Sequence, residues 1–164
     1  MTLQQTSSIS KLYSDESWTP MFENFMKKLK QSVEYESGSL FLFEDESQTL
    51  HKVVSDGDGI DFISSVNFPY GRGLSAWVAQ KGKQIYLHDI HRGSRHGLKP
   101  VRSYLSMPLE INNRIVGVLN LCHTVPNAFG RNTMEKIEDL SRGIARVIYN
   151  KTFLDFVDEE DSSY

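Results

Sequence analysis

The sequence predicts an α+β domain in which a central antiparallel sheet is flanked by helices from both ends of the chain. Apolar residues recur at three- and four-residue spacing near each end, and five strand-like runs fill the middle. The last two runs flank an Asn112-Asn113 turn, which suits an antiparallel hairpin.

Trp18, Phe22, Phe25, Met26, Leu29 and Val33 fall along one face of a helix starting near Pro20, with Ser17 or Thr19 placed to cap it. A second helix carries Met134, Ile137, Leu140, Ile144, Val147, Ile148 and Phe153 on one face, with Asn132 or Thr133 at its start. The strand-like runs are 39–43, 50–55, 84–88, 101–109 and 114–123, separated by turn formers such as Asp56-Gly57-Asp58-Gly59. These runs are apolar on both faces: Leu40 and Leu42 alternate with Phe41 and Phe43, and Leu119 and Leu121 with Val118 and Cys122. Both sheet faces therefore need cover, one from the terminal helices and the other from loops and a short helix around residues 75–80.

A chain of 164 residues has room for one such domain. The polar, aperiodic residues 1–15 read as a flexible N-terminal tail, 16–157 as the domain, and 158–164, with Asp158, Glu159, Glu160 and Asp161, as an acidic C-terminal tail. A formal charge of -3 gives no field that would select nucleic acid or an anionic membrane. Apolar runs such as 115–119 fall far short of the roughly 20 residues of a membrane span. The N-terminus lacks the basic start and apolar stretch of a signal peptide, so a cytoplasmic protein is expected.

Cys122 is the single cysteine, which excludes an intrachain disulfide, a Cys-rich zinc site and a two-cysteine redox cycle built from this chain. His123 is adjacent, yet consecutive strand residues point to opposite faces, so a buried structural thiol is the reading for Cys122. Gly71-x-Gly73-x-x-Ala76 fits the dinucleotide fingerprint superficially, but the helix must end by Gly82 and a hairpin follows, leaving no parallel crossover. His88, His91 and His96 beside Asp89 could hold a transition metal, although Arg92 and Arg95 oppose it and the spacing fits no established ligand set. Arg92, Arg95, Lys99 and Arg102 could instead close over an anion, or form a solvated basic loop. The carboxylates at Asp56 and Asp58 lie in a Gly-rich turn, where the burial that acid/base chemistry needs is not expected.

Three local patterns carry a family resemblance: Gly71-Arg72-Gly73-Leu74-Ser75-Ala76-Trp77-Val78-Ala79, Ser106-Met107-Pro108-Leu109, and Ile115-Val116-Gly117-Val118-Leu119-Asn120-Leu121 leading to Phe129. In this order and spacing, over about residues 18–150, the chain resembles the GAF domain family. The resemblance implies an antiparallel sheet of five or six strands, the terminal helices on one face and a loop-covered pocket on the other. It also implies a homodimer through the terminal helices, for which Trp18 and Phe22 offer apolar surface, with simple packing of those residues onto the sheet as the alternative.

Functional branches of the family leave few marks here. The branch that reduces free methionine sulfoxide needs cysteines in the loop before the hairpin, and residues 89–100 contain none. Carried over by motif, its first-strand aromatic falls near Ser37 and its acids fall at Tyr104, Asn120 and Cys122, none of which keeps the family's side chain. The cyclic-nucleotide pattern fails after Phe129, where Thr133-Met134 stands in place of two acids, and the bilin pattern fails because Cys122 ends the last strand.

The family's pocket parity nevertheless selects one strand face, with Phe41 and Phe43, Arg102, Tyr104 and Ser106, and Asn120 and Cys122, joined by Trp77 of the short helix. Such a set suits a small polar or anionic ligand, or a self-filled core. No catalytic or metal residue and no cofactor is assigned. The expected function is a non-enzymatic sensory module that signals through its terminal helices to an as yet unidentified signalling protein. The alternatives are a ligand-free interaction module and a methionine sulfoxide reductase-like enzyme.

Overall fold

The computed structural model describes residues 6–57, 73–91 and 100–154. The chain runs α1 (Thr6–Ser14), a 3-10 turn (Glu16–Trp18), α2 (Thr19–Ser32), β1 (Ser37–Glu44), β2 (Thr49–Asp56), α3 (Leu74–Lys81), β3 (Ile85–Leu87), β4 (Ser103–Ile111), β5 (Arg114–His123), α4 (Arg131–Tyr149) and a π-helical turn (Asn150–Leu154). The five strands form one sheet in the order β2-β1-β5-β4-β3, antiparallel throughout. The expected hairpin joins β4 to β5, with Asn112 at φ 50° and Asn113 at φ 60°. Two left-handed residues in succession match the right-handed twist of the strands, and asparagine tolerates that conformation.

One sheet face is covered by α2 and α4. Phe22, Phe25, Met26 and Leu29 of α2 and Ile137, Ile144, Ala145 and Ile148 of α4 pack with Leu40, Leu42, Leu105, Leu119 and Leu121 in the main core. Each buried Phe, Met, Leu or Ile among them contributes on the order of 1.5–3 kcal/mol in apolar transfer. The other face carries α3, whose Val78 and Ala79 meet Phe43 and Val118. Strand alternation thus divides β1, and β5 from Gly117 onward, between the two layers. A bulge near the start of β5 breaks it, since Leu109 opposes Gly117 while Glu110 opposes Ile115. Val116 therefore turns to the helical core and Ile115 to the α3 cluster.

Several expectations need correction. Residues 6–14 are helical, not a featureless tail, because Ile9 and Leu12 share one helix face and Leu12 is buried in the main core. Neither Ser17 nor Thr19 caps α2; Trp18 holds the N-cap position without a side-chain bond, and Asp15 instead accepts from Ser17 N at 2.9 Å. At α4 the N-cap is Gly130, so Asn132 and Thr133 lie inside the helix. Phe22 is 1% exposed and fully spent on the core, and Trp18 packs partly against it with Lys151 Nζ 5.1 Å from its ring centre. Packing onto the sheet, the alternative reading for these two residues, thus accounts for Phe22 and for part of Trp18. The acidic segment 158–164 lies outside the described residues.

Candidate functional site

The parity argument places its strand residues on the α3 side of the sheet. Two cross-strand rungs hold them, Tyr104 opposite Cys122 and Ser106 opposite Asn120. Phe43 is buried beneath α3 and Phe41, two residues earlier on the same strand, is half-buried. Arg102 precedes β4 and extends its pairing, its N–H donating to His123 O at 2.9 Å and its carbonyl accepting from Ile90 N at 2.8 Å.

At the centre is a buried polar chain. The Tyr104 hydroxyl donates to Asn120 Oδ1 at 3.0 Å, and Asn120 Nδ2 donates to Ser75 Oγ at 3.0 Å. All three residues are at most 4% exposed. Ser75 is the member that sequence reasoning missed. The signal was present, for Ser75 stands three and four residues before Val78 and Ala79 and shares their buried helix face. Buried beside this chain, Ser106 Oγ and Arg102 Nε have no hydrogen-bond partner among the described residues.

Arg102 is held by Asp89, which accepts from its terminal nitrogen at 2.5 Å and lies 3.1 Å from His91 Nε2. The Arg102 guanidinium beside Asp89 keeps its carboxyl below the ordinary value, against a smaller opposing effect of desolvation. Asp89 thus serves as a counter-ion to Arg102. No group of three or more potential metal ligands occurs among the described residues. His96, Arg92, Arg95 and Lys99, which figured in the metal and lid readings, lie outside them.

Trp77 does not join the group. It is 40% exposed and occupies the outer flank of α3, away from the phase shared by Ser75, Val78 and Ala79. Cys122 is 7% exposed and packs with Tyr104 and Val101. Its neighbour His123 points the other way, with Nδ1 accepting from Val125 N at 3.2 Å. The alternation that separated this pair in the sequence holds in the fold. Ser103 is a further buried hydroxyl, donating to Val125 O at 2.6 Å and accepting from Ala128 N at 3.1 Å, which fixes the segment between β5 and α4.

A profile of the GAF domain family matches residues 20–148, most of the chain. The protein belongs to the GAF domain family. The GAF domain of a two-component sensor histidine kinase from Bacillus halodurans superposes with a TM-score of 0.62 at 21% identity, covering 80% of this chain and 92% of that one. The GAF domain of a phosphoenolpyruvate-protein phosphotransferase from Acinetobacter gives 0.60 at 18% identity, covering 92% and 94%. Free methionine-R-sulfoxide reductase from Neisseria meningitidis, solved with its substrate, gives 0.62 at 20% identity, covering 88% and 85%. At such identities the likeness establishes the GAF fold alone, and it spans regulatory and enzymatic proteins alike. A search of proteins with curated functions gave no significant match. No helix among the described residues is long and apolar enough to cross a membrane.

Proposed function

We propose that this GAF domain is a regulatory module, not an enzyme, and that it takes a small polar or anionic ligand on the α3 face of β4 and β5. The observation that carries this reading is a pair of buried polar atoms without a partner among the described residues, Ser106 Oγ and Arg102 Nε, beside the satisfied chain of Tyr104, Asn120 and Ser75. A buried polar atom without a partner costs about 1–3 kcal/mol, and a ligand supplying an acceptor would recover that. Arg102 adds a charged fork held in place by Asp89.

Ligand contact on this face has a physical route to the other. Tyr104 and Ser106 alternate with Leu105 and Met107, and Asn120 with Leu119 and Leu121, all of which pack in the core under α2 and α4. A shift of either strand is felt by both helices, the surfaces that would meet a partner protein or a second copy. The regulatory GAF domains among its structural relatives lend support to this role.

A second reading, an interaction module with a filled pocket, is favoured by the closure of Tyr104, Asn120 and Ser75 on one another. Methionine sulfoxide reduction is the enzymatic alternative suggested by the reductase neighbour. Against it, Cys122 is the single cysteine and is buried, so no second thiol of this chain can resolve an oxidised one.

Thermal-shift screening of carboxylates, phosphate, amino acids, nucleotides and tetrapyrroles tests the reading, because a ligand of the folded state raises Tm. The expected result is a saturable rise with a small polar or anionic compound that is lost in Ser106→Ala and Arg102→Met. A flat screen supports the interaction module. Thiol-dependent turnover of free methionine sulfoxide would overturn the regulatory assignment.

A further inference from the structure

Pairing between β1 and β5 ends at Leu42 and Gly117, although β1 runs on to Glu44 and β5 begins at Arg114. The flanking ladders do not stop there. β1 and β2 stay paired to Glu44 and Thr49, and β4 and β5 to Ile111 and Arg114. The two central strands therefore part at this end of the sheet, where the bulge turns Val116 to one layer and Ile115 to the other. A cleft of about 560 Å³ opens between them, a size within the roughly 300–1,000 Å³ typical of small-molecule sites.

The first helix and the last turn of the described residues wall this cleft, Ile9 from α1 and Phe153 from the π-helical turn, and Phe43, Glu44, Glu46 and Arg114 line it as well. The Arg114 guanidinium lies over the Phe153 ring, 4.6 Å from its centre, and covers one face of this aromatic wall. The rest of the charge is negative. Glu44, Asp45 and Glu46 face one guanidinium, and Asp45 is occupied by Gln48 Nε2 at 2.9 Å within its own turn. Glu44 reaches His51 Nε2 at 3.0 Å and accepts from the Tyr13 hydroxyl at 3.4 Å.

We infer that this cleft is a second ligand site, built for a small organic cation with an ammonium or guanidinium on an apolar stem. The charge meets Glu44 and Glu46, and the stem lies against Phe43, Ile9 and Phe153. The site is separate from the Ser106 and Asn120 face and does not depend on that face holding a ligand. Occupancy acts on the N-terminal helix directly, because Glu44 also holds Tyr13 of α1, whose ring stacks on His51 at 3.9 Å. Through Phe153 it acts equally on the turn that follows α4.

Butylguanidine and its neutral isostere N-butylurea test this on the full chain, read by amide chemical-shift titration. Butylguanidine is expected to bind saturably, moving amides of Ile9, Tyr13 and Phe153 while those of Ser106 and Asn120 stay in place. Glu46→Gln, at an exposed position that preserves the fold, should weaken it about 3-fold, the worth of one exposed ion pair. Phe153→Leu should weaken it as well. Equal binding of N-butylurea, equal shifts at the same amides with calcium chloride, unchanged affinity in both variants, or no saturable shifts would each overturn the assignment.

Discussion

Tyr104 on β4 donates its hydroxyl to Asn120 Oδ1 on β5 at 3.0 Å, although the two residues stand on neighbouring rungs and not directly opposite one another. The diagonal bond works because a tyrosine side chain is long enough to span adjacent rungs. It is completed by Ser75, which ties the strand pair to α3.

This chain should therefore behave as a unit. Tyr104→Phe leaves the buried Asn120 Oδ1 without its donor, and is expected to cost about 1–3 kcal/mol. Removing the second partner as well, in Tyr104→Phe with Asn120→Leu, should cost less than the sum of the single changes. Urea unfolding of the two single variants and the double variant measures this. Strict additivity would show that the bond contributes nothing.

Tyr35 gives the fold an alkaline limit. The residue is 3% exposed, and burial raises its phenol above the ordinary 10.0, helped by the hydrogen bond to Asp56 Oδ2 at 2.8 Å. The folded state keeps a proton that the unfolded chain loses above that pH. Its stabilising contribution is complete below pH 10 and declines as pH rises from there toward the folded-state value. Unfolding free energy followed from pH 8 to 11.5 should fall at the top of the range. Tyr35→Phe should flatten that fall while being less stable at pH 7 through loss of the Asp56 bond.

Gly117 marks where β1 and β5 begin to part. A Cβ at this position would fall on the carbonyl oxygen of Phe41, closer than real side chains come, with Leu109 Cδ1 at 3.1 Å. The oxygen belongs to a paired strand and cannot move aside. Gly117→Ala is expected to lower stability by about 1–3 kcal/mol, as overpacking does, and Gly143→Ala, exposed within α4 with open space around it, to raise it by about 0.5–1 kcal/mol. A comparison of midpoints in denaturant decides between them.

Periodicity marked the strands to within a few residues because β1, β4 and β5 are buried on one face or both and β2 and β3 are partly so, and Asn112-Asn113 identified the hairpin through its demand for two left-handed residues. The strand residues of the α3 face were legible for the same reason, since alternation transmits position along β4 and β5. Trp77 was misplaced because a helix of eight residues gives too few turns to fix its phase from hydrophobicity alone. Ser75 was missed because its phase with Val78 and Ala79 marks it only as buried, while the partner that gives its hydroxyl a role lies 45 residues away. α1 escaped notice because only Ile9 and Leu12 mark its buried face, and its docking relies on Tyr13 meeting His51 and Glu44 across the fold.

Asp89 and Arg102 carry the remaining prediction. The Arg102 guanidinium depresses the Asp89 carboxyl below its ordinary 3.8, with His91 and His88 adding to the effect. A depressed carboxylate contributes stability that is present above the unfolded-state value and is lost as pH falls through the folded one. The tie between the segment before β4 and the one after β3 should therefore persist at neutral pH and fail only below 3.8. Carbon-detected titration of the Asp89 carboxyl should give a midpoint below that value. Arg102→Met removes both the donor and the charge, so the midpoint should move upward. An unmoved midpoint would show that the guanidinium is not the cause, and would leave Arg102 without the anchor that its proposed role as a ligand clamp requires.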